Sequence, residues 1–236
     1  MSFEKVSVPS VREQFVRDIE NMILSGELAI GQKLPPAREL CTLMGVSLTT
    51  VSTGLTELAN RGFIEVKPRH GAYVADYIRN GTSETFFSVL RYNGGKLNPH
   101  EIRSFTESRI AVDPFVMRLV TERASESGIA ALAGVVERLD ECSDAESACS
   151  LVTEFYQALY QLSDNSIFSL MYKTTVEVQK GMYMMFFAKN GLGLVKSTTR
   201  SIYDALLKRD GDKAADIALS AMDSVIHGES AIVPAE

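Results

Sequence analysis

A chain of 236 residues is long for one domain and comfortable for two, so a small and a larger domain are expected, each able to bury its own core. With 45% hydrophobic and 23% charged residues and no low-complexity tract, the composition excludes a disordered chain, and no stretch approaches the roughly 18 apolar residues a membrane span needs. The formal net charge of -6 excludes a global electrostatic pull toward nucleic acid, so any nucleic-acid site has to be local.

The opening MSFEKVSVPSVREQ lacks the continuous apolar core of a secretion signal, which predicts a cytoplasmic protein. Cys41, Cys142 and Cys149 make an odd number without metal-ligand spacing, and are read as thiols packed among helices.

Ser10 with Glu13 three residues on is a capping-box pattern, and Val11, Phe15, Ile19, Met22 and Ile23 repeat behind it at helical spacing up to Gly26. A loop with Gly31, Pro35 and Pro36 leads into a short helix through Arg38, Leu40, Leu43 and Met44, which Gly45 stops. Ser47 caps the next helix, whose inward face is Val51, Leu55 and Leu58 and whose outward face is Leu48, Thr49, Ser52, Thr53 and Thr56. Beyond Gly62, Phe63 to Lys67 and Ala72 to Val74 read as two strands around Pro68-Arg69-His70-Gly71. Helix, helix-turn-helix and hairpin is the order of a winged helix-turn-helix.

The polar stretch from Arg79 to Ser83 is the expected linker, and only helices are predicted after it. Asn98-Pro99 with Glu101 opens a long helix toward Ala124, Ser127 opens one through Leu139, and Asp144 opens one through Leu159. Three more are expected over Ser166 to Lys189, Leu192 to Arg209 and Asp212 to His227, with Gly191, Gly193 and Gly211 at the breaks. The fold class is therefore mainly α: an N-terminal winged helix-turn-helix with a small β-hairpin wing, and a C-terminal all-α antiparallel bundle. The expected divisions are 1-78 for the winged domain, 79-97 for a linker and connecting helix, and 98-236 for the helical domain.

The motifs G-Q-K-L-P at Gly31 to Pro35, R-E-L at Arg38 to Leu40, G-V-S-L-T-T-V from Gly45, and G-F-I-E-V from Gly62 resemble the DNA-binding domain of the GntR family, with matching spacing. The helical half is similar to the ligand-binding domain of the FadR-type branch, the FCD domain. Glu107-Ser108-Arg109, Asp113-Pro114, Glu122-Arg123-Ala124, Phe155 with Leu159, Ser163-Asp164-Asn165 and Gly211-Asp212 carry that likeness.

The resemblance implies a transcriptional regulator that binds a pseudo-palindromic operator as a homodimer, represses, and responds to a small-molecule effector. It further implies a place at the nucleoid when DNA is bound. Arg38, Ser47, Thr49, Thr50 and Ser52 fall at its DNA-facing positions, and Lys67, Arg69, His70 and Gly71 form the wing tip. Leu48 and Ser52 stand where the family usually has arginines, so residues 47 to 56 hold no basic side chain. Since a bidentate arginine–guanine pair gives about 1 to 3 kcal/mol of discrimination, an atypical operator or weaker binding is expected. The alternative is a degenerate head that no longer binds DNA strongly, leaving a ligand-binding or protein-interaction module.

Many FCD domains hold a divalent metal with an aspartate and three histidines. The corresponding positions here are Val152, Tyr156, Thr199 and a place between Met222 and His227, and the chain has only His70, His100 and His227, so no metal and no cofactor are expected. Arg109 matches an arginine that faces the effector, with an ion pair to Asp113 or Glu107 as its other reading, and Tyr156 and Thr199 either offer hydroxyls to the ligand or fill space. The effector is expected to be an organic acid or an acyl compound. Gly181 to Phe187 is the most apolar run and is read as core or dimer packing, with the wall of an acyl pocket as the second reading. No nucleophile with a nearby base and no phosphate-cradling loop is present, so the chain is not expected to be an enzyme.

Overall fold

The computed structural model describes residues 9–92 and 99–233. Asn98, expected to open the long helix, and the stretch 93–97 lie outside the described residues. The chain divides into two compact units, residues 1–93 and 94–236.

The first unit opens with α1 (Val11–Leu24), whose capping box is closed by Glu13 N–H donating to Ser10 Oγ (3.2 Å) and Ser10 N–H donating to Glu13 Oε2 (2.7 Å). Helices α2 (Ala37–Met44) and α3 (Leu48–Asn60) meet at Gly45, which takes the left-handed conformation (φ 64°) that lets the chain turn between them. Phe15, Ile19 and Ile23 of α1 join Leu40, Val51, Leu58 and Phe63 in one core. Gly54 lets α1 approach α3, because a Cβ there would stand 2.4 Å from the Phe15 ring. An ionic cluster ties the same helices: Arg61 bridges Glu20 (2.9 Å) and Glu57 (2.5 Å), and Arg12 reaches Glu57 at 3.4 Å.

Strands β1 (Ile64–Lys67) and β2 (Gly71–Val74) pair antiparallel, with Ile64 opposite Val74 and Lys67 opposite Gly71. The segment read as a plain loop before α2 adds to this sheet. Lys33 bridges Tyr73, Leu34 N–H donates to Ala72 O, and Val74 N–H donates to Gln32 O (each bond 2.9 Å).

Within the stretch expected as linker and connecting helix, Arg79 and Asn80 end one short helix and Ser83 opens another, with Gly81 and Thr82 between them. Asp76 caps α4 (Tyr77–Asn80) and Thr82 caps α5 (Ser83–Arg91). The Thr85 hydroxyl donates to Arg61 O, and the Ser88 hydroxyl to Glu20 Oε1 at 3.4 Å. The stretch from Arg79 to Ser83 is exposed, with Thr82 spent as a cap, and it is Thr85 and Ser88 beyond it whose hydroxyls reach Arg61 and Glu20.

The described part of the second unit is helical: α6 (Pro99–Arg123), α7 (Glu126–Ala130), α8 (Ala133–Glu141), α9 (Ala145–Leu162), α10 (Ser166–Thr174), α11 (Val176–Asn190), α12 (Gly193–Leu207) and α13 (Gly211–Ile226). Two expected helices are divided. Ser125 rather than Ser127 caps α7, and the chain turns at Ala131–Leu132 before α8. The expected helix over Ser166 to Lys189 breaks at Thr175, whose hydroxyl lies 3.1 Å from Met171 O and 3.0 Å from Tyr172 O, so a side chain meets carbonyls that continued helix would have bonded. Helix α6 runs on through Pro114 and packs along α13. Among the described residues, no helix is long and apolar enough to cross a membrane.

Candidate functional site

On the first unit, Arg38 is exposed in the first turn of α2 and makes no ion pair, with Glu39 or with any other described residue. Ser47 and Thr50, both expected to face DNA, are largely committed to each other: Thr50 N–H donates to Ser47 Oγ (3.1 Å) and their hydroxyls are 2.9 Å apart. Thr53 and Thr56 turn back onto the carbonyls of Thr49 (2.8 Å) and Ser52 (3.0 Å). Thr49, Ser52 and the apolar Leu48 remain exposed on the outward face of α3.

At the wing, Pro68 and Arg69 are the central residues of a turn closed by His70 N–H donating to Lys67 O (3.0 Å). Arg69 holds φ 64°, a left-handed conformation that normally calls for glycine, and Gly71 follows at φ 104°. The side chains of Arg69 and His70 are exposed. Lys67 is only partly available, lying 3.3 Å from Glu65 and over the Tyr73 ring at 5.0 Å. Lys33, which the sequence reading passed over as a loop residue, stands over the same ring at 5.8 Å and adds a second cation to the wing. Its signal was the G-Q-K-L-P motif, read for its glycine and proline rather than its lysine.

In the second unit, a cavity of about 50 Å³ gathers Arg109 from α6, Val152 and Tyr156 from α9, Gln179, Met182, Tyr183 and Phe186 from α11, Thr199 from α12, and Met222 from α13. All three effector residues named from the sequence, Arg109, Tyr156 and Thr199, are buried and line it together. Arg109 lines the cavity and also makes an ion pair with Asp113. Its Nη2 donates to Asp113 Oδ2 at 2.6 Å within α6, while the guanidinium lies 4.7 Å above the Tyr156 ring. Tyr160 donates its hydroxyl proton to Asp113 Oδ1 at 2.6 Å, so both carboxylate oxygens are engaged.

Burial works against the charge on Arg109, but Asp113 and the surrounding phenols outweigh it and raise its pKa well above the ordinary value. Burial pushes the Tyr156, Tyr160, Tyr172 and Tyr183 phenols up, with the Asp113 charge adding to the effect. All four are therefore neutral at physiological pH. The Gly181–Phe187 run divides its faces: Met182, Tyr183 and Phe186 form cavity wall, Phe187 is buried, and Met184 and Met185 face outward.

Of the positions that the resemblance assigned to metal ligands, Val152, Tyr156 and Thr199 line this cavity, and from the stretch between Met222 and His227 that was to hold the fourth, Met222, Ser224 and Val225 line it. Their chemistry does not fit a divalent ion. Valine has no donor, the phenol is held protonated, and none of threonine, methionine and serine is a strong ligand for a hard or borderline cation. His227 stands apart at the end of α13, exposed and 2.9 Å from Asp223 Oδ1.

Comparison with known proteins finds a domain match over each of the two units. Residues 6–74 match the model of the bacterial regulatory proteins of the gntR family, and residues 104–224 match the FCD domain. The chain is 27% identical over 206 residues to the HTH-type transcriptional regulator Rv0494 of Mycobacterium tuberculosis, covering 87% of this chain and 84% of that one. It is 23% identical over 216 residues to the galactonate operon transcriptional repressor of Escherichia coli, covering 90% and 93%. The solved structure of Lar, which controls expression of the Listeria monocytogenes agr system, shares the fold with a TM-score of 0.56 at 14% identity, over 93% of this chain and 96% of that one. With a GntR helix-turn-helix domain followed by an FCD domain, the chain belongs to the GntR family of transcriptional regulators, in the FadR-type branch.

Proposed function

We propose that this protein is a homodimeric repressor that reads a pseudo-palindromic operator with its two winged heads and changes its DNA affinity when a small molecule enters the FCD cavity. The single observation that carries the reading is the cavity itself: a buried cation, two phenols and a buried threonine converge inside a GntR regulator's FCD domain, where effectors act in the family. Repression is supported by the likeness to the galactonate operon repressor. A dimer is supported by an apolar face on α10, where Ile167, Leu170 and Met171 are exposed at positions i, i+3 and i+4.

Arg38, Thr49, Ser52, Lys33 and Arg69 are the proposed DNA contacts, with Lys67 and His70 secondary at the wing. Ser47 and Thr50 shape the start of α3 rather than read bases. The exposed Leu48 suits the methyl groups of thymines, which points to an A·T-rich half-site. Replacing Arg38 by alanine is expected to weaken operator binding at least about tenfold while leaving the dimer and the fold unchanged. Titration of labelled operator at fixed salt, with light scattering alongside, checks this. Equal affinity of both proteins removes Arg38 from the site, and no binding by either supports the degenerate head.

The wing tip allows a sharper separation of stability from function. A left-handed non-glycine residue costs about 1 to 2 kcal/mol, so Arg69→Gly should stabilise the head by about 1 kcal/mol while lowering DNA affinity and the steepness of its salt dependence. Urea unfolding and operator titration at two salt concentrations read the two effects. A variant that loses stability, or binds DNA as the parent does, contradicts the role given to Arg69.

A further inference from the structure

Three buried polar atoms on the cavity wall have no hydrogen-bond partner among the described residues: Arg109 Nε, Gln179 Oε1 and the Tyr183 hydroxyl. Each such group left unmet in an apolar setting costs free energy, and three at one wall point to something that meets them together. The orientation of the Gln179 amide follows from its neighbour. Thr175 Oγ1 lies within 3.1 Å of the carbonyls of Met171 and Tyr172, to which it can only donate, so it accepts from Gln179 Nε2 at 3.0 Å and the amide oxygen is the end left open. The wall thus presents two donors, the Arg109 Nε–H and the Tyr183 O–H, and one acceptor.

The charge balance decides what they receive. Among the described residues Arg109 is the only charged side chain lining the cavity, and it is already matched by Asp113, whose two oxygens are both engaged. A carboxylate entering here would compete with Asp113 for one guanidinium, leave a buried negative charge unmatched, and face the Gln179 oxygen.

Resting on the reading of this cavity as the effector site, we infer that the FCD domain takes an uncharged acyl ligand with a carbonyl and an N–H or O–H at one end, of the carboxamide type, and discriminates against organic acids. The carbonyl accepts from Arg109 Nε and Tyr183, the N–H donates to Gln179 Oε1, and the apolar body lies against Met182, Phe186 and Met222, whose flexible methionines adapt to its length. Of the two effector classes expected from the sequence, the acyl compound stays and the acid is replaced.

The matched pair butanamide and butanoate tests this on the full-length protein, since the two share shape and differ in charge and in the N–H. Ligand-observed NMR at neutral pH should give butanamide at least about tenfold tighter binding than butanoate. Gln179→Met, and Tyr183→Phe as the variant that removes only a hydroxyl, should each lower butanamide affinity about threefold to tenfold with an unchanged unfolding midpoint. Equal or tighter binding of butanoate, or binding of neither, overturns the inference. Operator titration run in parallel separates the two readings: butanamide that binds without changing DNA affinity supports the ligand class and contradicts the effector role, whereas butanoate that binds and releases DNA does the reverse.

Discussion

Asp113→Ala is expected to destabilise the helical unit by about 3 to 5 kcal/mol, the cost of leaving a buried guanidinium without its partner. Asp113 is 0% exposed and accepts from both Arg109 and Tyr160 at 2.6 Å, so its loss takes the acceptor away from two buried donors at once. No acid among the described residues stands on the cavity wall to take its place, since Arg109 is the one charged residue of those that line it. Arg109→Met combined with Asp113→Leu should recover most of the stability, since removing both charges removes the penalty as well as the attraction. Denaturant unfolding of the three proteins checks this, and an Asp113→Ala variant within about 1 kcal/mol of the parent would show that the pair is solvated and that the cavity is not the dry site described. The double variant should fold yet lose ligand binding, which separates Arg109's part in recognition from its part in folding.

The second large effect is expected on assembly. Ile167 and Leu170 of α10 are 63% and 57% exposed, and Phe115 of α6 adds an exposed ring set edge-on to Phe168 at 6.1 Å. An apolar face of this kind is more than scattered surface leucines, and a second copy of the chain is its proposed occupant. Leu170→Glu should place a charge in the middle of that face, yield a monomer, and weaken operator binding by about a hundredfold or more, because two heads on one operator bind with the gain that linkage provides. Light scattering and operator titration read both. A variant that stays dimeric moves the interface elsewhere, for example to the outward Met184 and Met185 of α11.

Much of the fold was legible because the signals were local. The Ser10, Ser47 and Asp144 caps, the Gly45 turn and the strand pair around Pro68 to Gly71 each follow from a few neighbouring residues, and the structure bears them out. The break at Thr175 was not legible, nor were the bonds by which the helix expected after the linker ties back to Arg61 and Glu20, since both depend on hydroxyls meeting carbonyls or carboxylates whose availability is a tertiary fact. The cavity was legible in part. Arg109, Tyr156 and Thr199 came from the resemblance, whereas Gln179 reads in sequence as an ordinary polar helix residue two places before the apolar run. Only the packing of α11, with Val178, Gln179, Met182, Tyr183 and Phe186 all buried, reveals that this glutamine faces inward.

On the function proposed here, the head reads DNA despite a recognition helix without basic side chains over residues 47 to 56. Purified protein incubated with sheared DNA from its own genome at about 150 mM salt, with sequencing of what is retained, tests it most directly, because weak electrostatic binding is largely lost at that ionic strength. Enrichment of a short, A·T-rich inverted repeat is expected. Retention of no common sequence, with or without cell extract to supply the effector, would contradict the claim and leave the FCD domain as the working part of the molecule.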